Sequence, residues 1–263
     1  MRIALCVKKD IHGLLAARIL AERLGFATLR FFCSVKTRDA ENAVPALKIM
    51  KLLERDVAID TFAALESGFG GLPHPDEWTP LLDLKADGGA RTLLDWRPDL
   101  VISARFSLIF PQRVIDAIPR GIINVHPGAL PGYRGLFAPF WQILKREPVL
   151  GCTVHMVDRG IDTGPILGIA RVPLDTSRSL MAHTAALYRG GVAIAAEAAA
   201  TIAAGGTPAG APQPAGGNYY RFPAPEDFAA LPVPIVTAHD FAETLSAAFP
   251  APQAAPVRWS AAA

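Results

Sequence analysis

Short apolar runs alternate with stretches of helical spacing along the first two hundred residues, a pattern that predicts strands joined by helical crossovers. Residues 2–7 are an apolar run, and residues 13–24 place Leu14, Ala17, Ala21 and Leu24 along one helical face. A second run covers residues 27–35. Residues 41–53 have helical spacing, with Pro45 near the start, where proline is tolerated. Residues 56–87 are poorly patterned and read mostly as loop. A short helix over 88–96 ends at Arg97-Pro98-Asp99, before a buried-looking strand at 100–104. Another short helix spans 111–117, and a strand at 122–126 is stopped by Pro127. Strands at 151–157 and 166–172 flank a turn-rich segment. A long helix follows over 179–204, with Thr176, Ser177 and Ser179 as competent N-caps and Gly190-Gly191 placed to break or kink it.

This order of elements predicts an α/β fold with a mostly parallel sheet flanked by helices. Two hundred and sixty-three residues suit one large domain, alone or with a small appendage. The Pro/Gly/Ala run after Gly205 marks the expected boundary, giving a main domain over 1–205 and a linker and tail over 206–263. That tail is expected to pack partly on the core, with a frayed end. A net charge of +2 supplies no broad field for a polyanion, so nucleic acid is not an expected partner. The first apolar run is too short for a signal-peptide core or a membrane span, and the alanine-rich stretch after Val192 is interrupted by Glu197. Three scattered cysteines without ligand-like spacing suit a reducing compartment, so a cytoplasmic location is expected.

Candidate chemistry comes from two strands and a loop. Side chains alternate along a strand, so Asn124 and His126 share one face while Ile123 and Val125 share the other. In an open α/β sheet, ligands bind beyond the carboxyl ends of the strands, where Pro127-Gly128 ends this one. In the next strand, Thr153 and His155 share a face opposite to Cys152, Val154 and Met156. Asp162 follows in a loop between Gly160 and Gly164, glycines that permit close backbone approach to a ligand or simply an Asx-type turn. Taken singly, each of these residues also reads as ordinary packing or turn chemistry.

Together, INVHPGALPGYRG and GCTVHMVDRGIDTGPIL resemble the 10-formyltetrahydrofolate-dependent formyltransferase family, which includes glycinamide ribonucleotide, methionyl-tRNA and amino-sugar formyltransferases. The likeness is strong over residues 97–180, moderate before them and weak after Gly205. It implies a Rossmann-like formyltransferase fold and 10-formyltetrahydrofolate as formyl donor, with no metal. It assigns catalysis to Asn124, His126 and Asp162: an amide and an imidazole for an oxyanion and for protons, and a carboxylate that favours the imidazolium. Thr153 and His155 fall beside the triad as bracing residues. The implied donor contacts are Arg105, Leu108, Ile109, Val157, Gly160 and Ile161, largely through backbone groups. Arg134 falls near the acceptor, where it meets a phosphate or carboxylate or merely solvent.

Departures from the family pattern narrow the acceptor. The first β-α turn lacks both a dinucleotide fingerprint and the Gly/Ser-rich phosphate loop of glycinamide ribonucleotide formyltransferases. The residues after Gly205 are too few and too rich in Pro and Ala for the C-terminal barrel of methionyl-tRNA formyltransferases. The expected acceptor is a small-molecule primary amine or hydroxylamine, such as an amino-sugar nucleotide or amino-acid derivative, and a homodimer is an admissible assembly. Alternatives are a 10-formyltetrahydrofolate hydrolase, a non-catalytic folate- or metabolite-binding protein, and a metal hydrolase using His126, His155 and Asp162. Tyr219, Tyr220 and Phe222 are expected to anchor the tail rather than wall the acceptor.

Overall fold

The computed structural model describes residues 1–35, 44–63, 72–74 and 77–249. Within them the chain runs β1 (Arg2–Lys8), α1 (Ile11–Arg23), β2 (Thr28–Ser34), α2 (Pro45–Lys51), a π-helical turn (Leu52–Val57) and α3 (Ala58–Ala63). It continues with β3 (Thr79–Leu81), α4 (Asp87–Leu94), β4 (Leu100–Ala104), α5 (Gln112–Ala117), β5 (Ile122–His126), β6 (Arg134–Gly135) and α6 (Ala138–Leu144). Then come β7 (Val149–Met156), β8 (Ile166–Pro173), α7 (Leu180–Ala203), β9 (Tyr219–Tyr220), α8 (Pro225–Ala229) and α9 (Ala238–Ala248).

Seven strands form one sheet in the order β3-β2-β1-β4-β5-β7-β8, and β6 pairs with β9 in a small second sheet. The pairs from β3 through β5 are parallel, whereas β5–β7 and β7–β8 are antiparallel. This is the expected α/β architecture. The chain winds outward in one direction after β1 and in the other after β4, so the crevice between their carboxyl ends is the topological switch point.

Alternation splits the core in two. Ile3, Leu5 and Val7 face one side with α1 and α7, while Ala4 and Cys6 face the other with Val101, Ile122 and Val114 of α5. Helix α1 starts two residues earlier than its spacing predicts, because the Asp10 carboxylate accepts from the Gly13 N–H at 2.9 Å and caps it. It is apolar nearly all round because it packs between the sheet and the helices α7 and α9.

Several expectations need correction. Residues 56–87 are not simply loop: the end of the π turn, α3 and β3 lie there, too short to show a period. Helix α6 also went unread, since its buried Phe140 and Gln142 break the apolar pattern. The Gly190-Gly191 pair does not break α7, which runs unbroken for 24 residues. A Cβ at Gly191 would stand 2.5 Å from Cys152 Sγ and 2.6 Å from Val125 Cγ1, so the glycine lets the helix lie close on the sheet.

The tail is integral to the packing through residue 249. Val233 and Ala248 belong to the main core. The N–H groups opening α7 are satisfied largely from the tail: Ser179 by Asp240 Oδ2 at 2.8 Å, Leu180 by Pro234 O at 2.9 Å, and Met181 by Ile235 O at 3.1 Å. All three cysteines are free and buried, and burial pushes their thiols above the ordinary range. Among the described residues, no helix is long and apolar enough to cross a membrane.

Candidate active site

Strand register assembles the site. Asn124 stands opposite His155 and His126 opposite Thr153 across the antiparallel β5–β7 pair, with Ser103 beside Asn124 on the parallel side. The polar side chains therefore emerge together at the carboxyl end of β5. Asp162 enters from the loop between β7 and β8 in a left-handed backbone conformation, φ +55°. Its Oδ2 lies 3.6 Å from His126 Nδ1, its Oδ1 lies 3.6 Å from His155 Nε2, and the Gly135 N–H donates to Oδ2 at 2.9 Å.

These contacts define proton positions. His126 Nε2 is 2.6 Å from the Tyr133 carbonyl, which can only accept, so Nε2 carries a hydrogen and Nδ1 is the nitrogen left to exchange protons. His155 Nδ1 donates to the Met156 carbonyl at 2.8 Å, so in the neutral ring Nε2 accepts from the Asn124 amide at 3.2 Å. That bond fixes the amide orientation and leaves a second N–H on Asn124 Nδ2 for another acceptor. Burial alone would raise the Asp162 pKa, but the neighbouring His126 outweighs it, together with His155 and the hydrogen bond from the Gly135 N–H, and holds it at about 2. The carboxylate is ionised throughout the neutral range.

Asn124, His126, His155 and Asp162 line a cavity of about 380 Å³. Of the donor-binding candidates, Arg105, Leu108, Ile109, Val157, Gly160 and Ile161 all line it too. Phe106 and Phe110 stack at 5.4 Å along the same segment, giving that wall an apolar, flat character. Thr153 lies beneath the site: its hydroxyl donates to Gly128 O at 2.7 Å and accepts from Leu130 N at 3.0 Å, fixing the turn after β5. Gly164 serves the loop's own closure, because a Cβ there would stand 1.9 Å from Met156 O.

The side chains of two arginines are already committed. The Arg105 guanidinium pairs with Asp10 at 2.9 Å and Glu54 at 3.2 Å, so it offers the cavity no unpaired side-chain charge. Arg134 donates to Asp162 O, Gly216 O and Gln213 Oε1, which makes it a brace for the loop rather than a lone anion contact.

At the switch point lies a cluster that sequence reasoning missed. Fully buried His12 has Nδ1 3.2 Å from Glu54 Oε1, an ion-pair distance without hydrogen-bond alignment, and Nε2 3.1 Å from Met181 O. Burial opposes ionisation of Glu54, but His12, Arg105 and Lys8 overcome it and depress its pKa. No spacing signal links residues so far apart in the chain. The metal-hydrolase alternative fits poorly: among the described residues, the group compact enough for an ion is His239, Asp240 and Glu243, and Asp240 is already held by Arg178 and Ser179.

A doubly wound sheet whose carboxyl edge gathers an amide, an imidazole and a carboxylate around one cavity defines an α/β protein with a polar pocket at the end of β5. Residues 79–193 match the formyl transferase family model. Methionyl-tRNA formyltransferase of Ralstonia pickettii is 37% identical over 139 residues, 51% of this chain and 41% of that protein. That of Acetivibrio thermocellus is 41% identical over 83 residues, 32% of this chain and 27% of that protein. The chain thus spans less than half the length of these relatives. Among solved structures, a 4-N formyltransferase from Francisella tularensis superposes with a TM-score of 0.56 at 19% identity, covering 83% of this chain and 75% of its own. A sugar N-formyltransferase from Shewanella also gives 0.56 at 19% identity, covering 94% and 87%. Over residues 79–193, this chain is thus similar to the formyl transferase family.

Proposed function

We propose that the protein transfers a formyl group from 10-formyltetrahydrofolate to a primary amine or hydroxylamine of a small-molecule acceptor. The observation that carries this reading is the convergence of Asn124, His126 and Asp162 on one cavity inside the matched family segment. The donor assignment is supported by a structural relative from Anoxybacillus kamchatkensis, a formyltransferase described in complex with tetrahydrofolate and a formamido sugar nucleotide. Its TM-score is 0.51 at 19% identity over 84% of this chain and 85% of its own. The apolar wall around Leu108 and Phe110 suits a flat pterin edged by backbone groups.

In this mechanism the acceptor nitrogen forms a bond to the formyl carbon, and the carbonyl π pair moves onto oxygen. The remaining Asn124 N–H and the protonated His126 Nδ1 stabilise that oxyanion. The bond from carbon to the folate nitrogen then breaks, re-forming the carbonyl. His126 Nδ1 passes the proton lost by the amine to the departing nitrogen. Asp162 stays ionised, orients the ring and balances the imidazolium.

The test is tetrahydrofolate release by the purified protein, with and without a panel of amines that includes amino-sugar nucleotides and ornithine derivatives. Release that requires an amine supports the transferase. Release that ignores every amine makes water the acceptor and the protein a hydrolase.

A further inference from the structure

The linker after α7 is almost wholly exposed, apart from half-buried Pro208 and Gln213. Between residues 209 and 219, Gln213 alone is half-buried. Its amide nitrogen donates to Asp162 O at 2.9 Å and to Gly164 O at 2.8 Å, while its Oε1 accepts from Arg134 Nη2 at 2.9 Å. Arg134 Nε donates to the same Asp162 carbonyl at 3.2 Å. The backbone of Asp162 thus receives two side-chain donors, one from the linker and one from β6, at the residue held in the left-handed region, where a non-glycine residue needs external support.

The same tail holds the other half of the site. Strand β9 pairs with β6, with Arg134 N donating to Asn218 O at 3.0 Å and Leu136 N to Tyr220 O at 2.9 Å. Between these two bonds lies Gly135, whose N–H grips the Asp162 carboxylate, and just before them lies Tyr133, whose carbonyl holds His126. Tyr220 stacks between Tyr133 at 5.3 Å and Trp141 at 5.1 Å.

We infer that Gln213 is a positioning residue: it sets the Asp162 backbone so that the carboxylate faces His126, and the linker thereby forms part of the catalytic apparatus. Gln213 touches no reacting atom and acts only through Asp162. The inference about turnover rests on the formyl-transfer reading; the bracing itself does not.

Two variants separate donation from tethering. Gln213→Ala removes every contact, whereas Gln213→Glu keeps an acceptor for Arg134 and loses both N–H donors to the loop carbonyls. We expect both to lower kcat by roughly tenfold to a hundredfold, the scale of an ångström-sized misplacement. The KM for 10-formyltetrahydrofolate should stay within about twofold of the parent value, with the melting temperature unchanged. Hydrogen exchange followed by mass spectrometry should show faster exchange in peptides covering residues 158–164 in both variants. A Glu variant with parental kcat and parental exchange overturns the inference, as does loss confined to KM. If the parent protein itself releases no tetrahydrofolate, the functional reading fails, and the exchange data still decide whether Gln213 braces the loop.

Discussion

Two clusters at the same edge of the sheet contain nearly the same chemical groups and differ in how fully those groups are used. At the switch point, Asp10, Arg105, Glu54 and His12 are linked by contacts of 2.9 to 3.2 Å, and His12 is wholly buried. At the end of β5, Asp162 stands 3.6 Å from each of two imidazoles, and one nitrogen of His126 and one N–H of Asn124 face the cavity without a close partner. Close ion pairing makes the first cluster a clamp between the start of α1, the π turn, the end of β4 and the start of α7. In the formyl-transfer proposal, unspent hydrogen-bonding capacity is what equips the second for reaction. Burial and charge alone do not separate them; the unused donors do.

The sharpest way to break this comparison is to remove groups from each side. His126→Ala and Asp162→Asn should each reduce turnover by roughly 10²- to 10⁴-fold, with cooperative unfolding retained. Near-parental turnover in either variant would mean that the loose cluster is not the reactive one. Glu54→Ala should do the reverse in kind: it leaves His12 and Arg105 short of a counter-charge and should cost about 3 to 5 kcal/mol in urea unfolding, because one partner of a buried ionic group is gone. A loss under 1 kcal/mol would show that the clamp carries little of the stability.

Acid titration sharpens the contrast further. Asp162 is held at about 2, below its ordinary 3.8, so its folded-state contribution is fully present above about pH 4 and is lost as the pH falls towards 2. The expected contribution is about 2 kcal/mol. Asp162→Asn should lose about that much stability above pH 4 and converge on the parent as the pH falls towards 2; superimposable acid-unfolding curves would contradict the assignment. The smallest expected effect lies away from both clusters. Gly191→Ala brings a methyl against Cys152 and Val125, and overpacking of that kind costs about 1 to 3 kcal/mol. A variant as stable as the parent would show that α7 can lift from the sheet without loss.

What the sequence disclosed follows the reach of its signals. Strand alternation put Asn124 and His126 on one face, and the register of β5 against β7 confirmed that His155 stands across from Asn124. Every proposed donor-wall residue lines the cavity, because each lies within a few residues of a legible strand end. The clamp was invisible, since Arg105 meets Asp10 and Glu54 across 95 and 51 positions of chain. Gln213 was equally hidden, one amide in a Pro/Gly/Ala run whose composition predicts only a spacer. The tail aromatics were read as anchors only in part: Tyr220 and Phe222 pack on Tyr133, Trp141 and Phe137, but Tyr219 and Phe222 also line the cavity, through contacts no local pattern encodes.

The borrowed cap on α7 has a consequence for how the chain is made. Helix α7 begins at Leu180, but Pro234, Ile235 and Asp240, which satisfy its opening N–H groups, are synthesised more than fifty positions later. At ordinary rates of translation, roughly 5 to 20 residues per second, that gap lasts several seconds. During it the growing chain holds its longest helix with an unfinished end, while β6 still waits for its partner strand. The order of synthesis thus leaves the edge that carries Asn124, His126 and Asp162 unfinished until the chain through Asp240 has emerged.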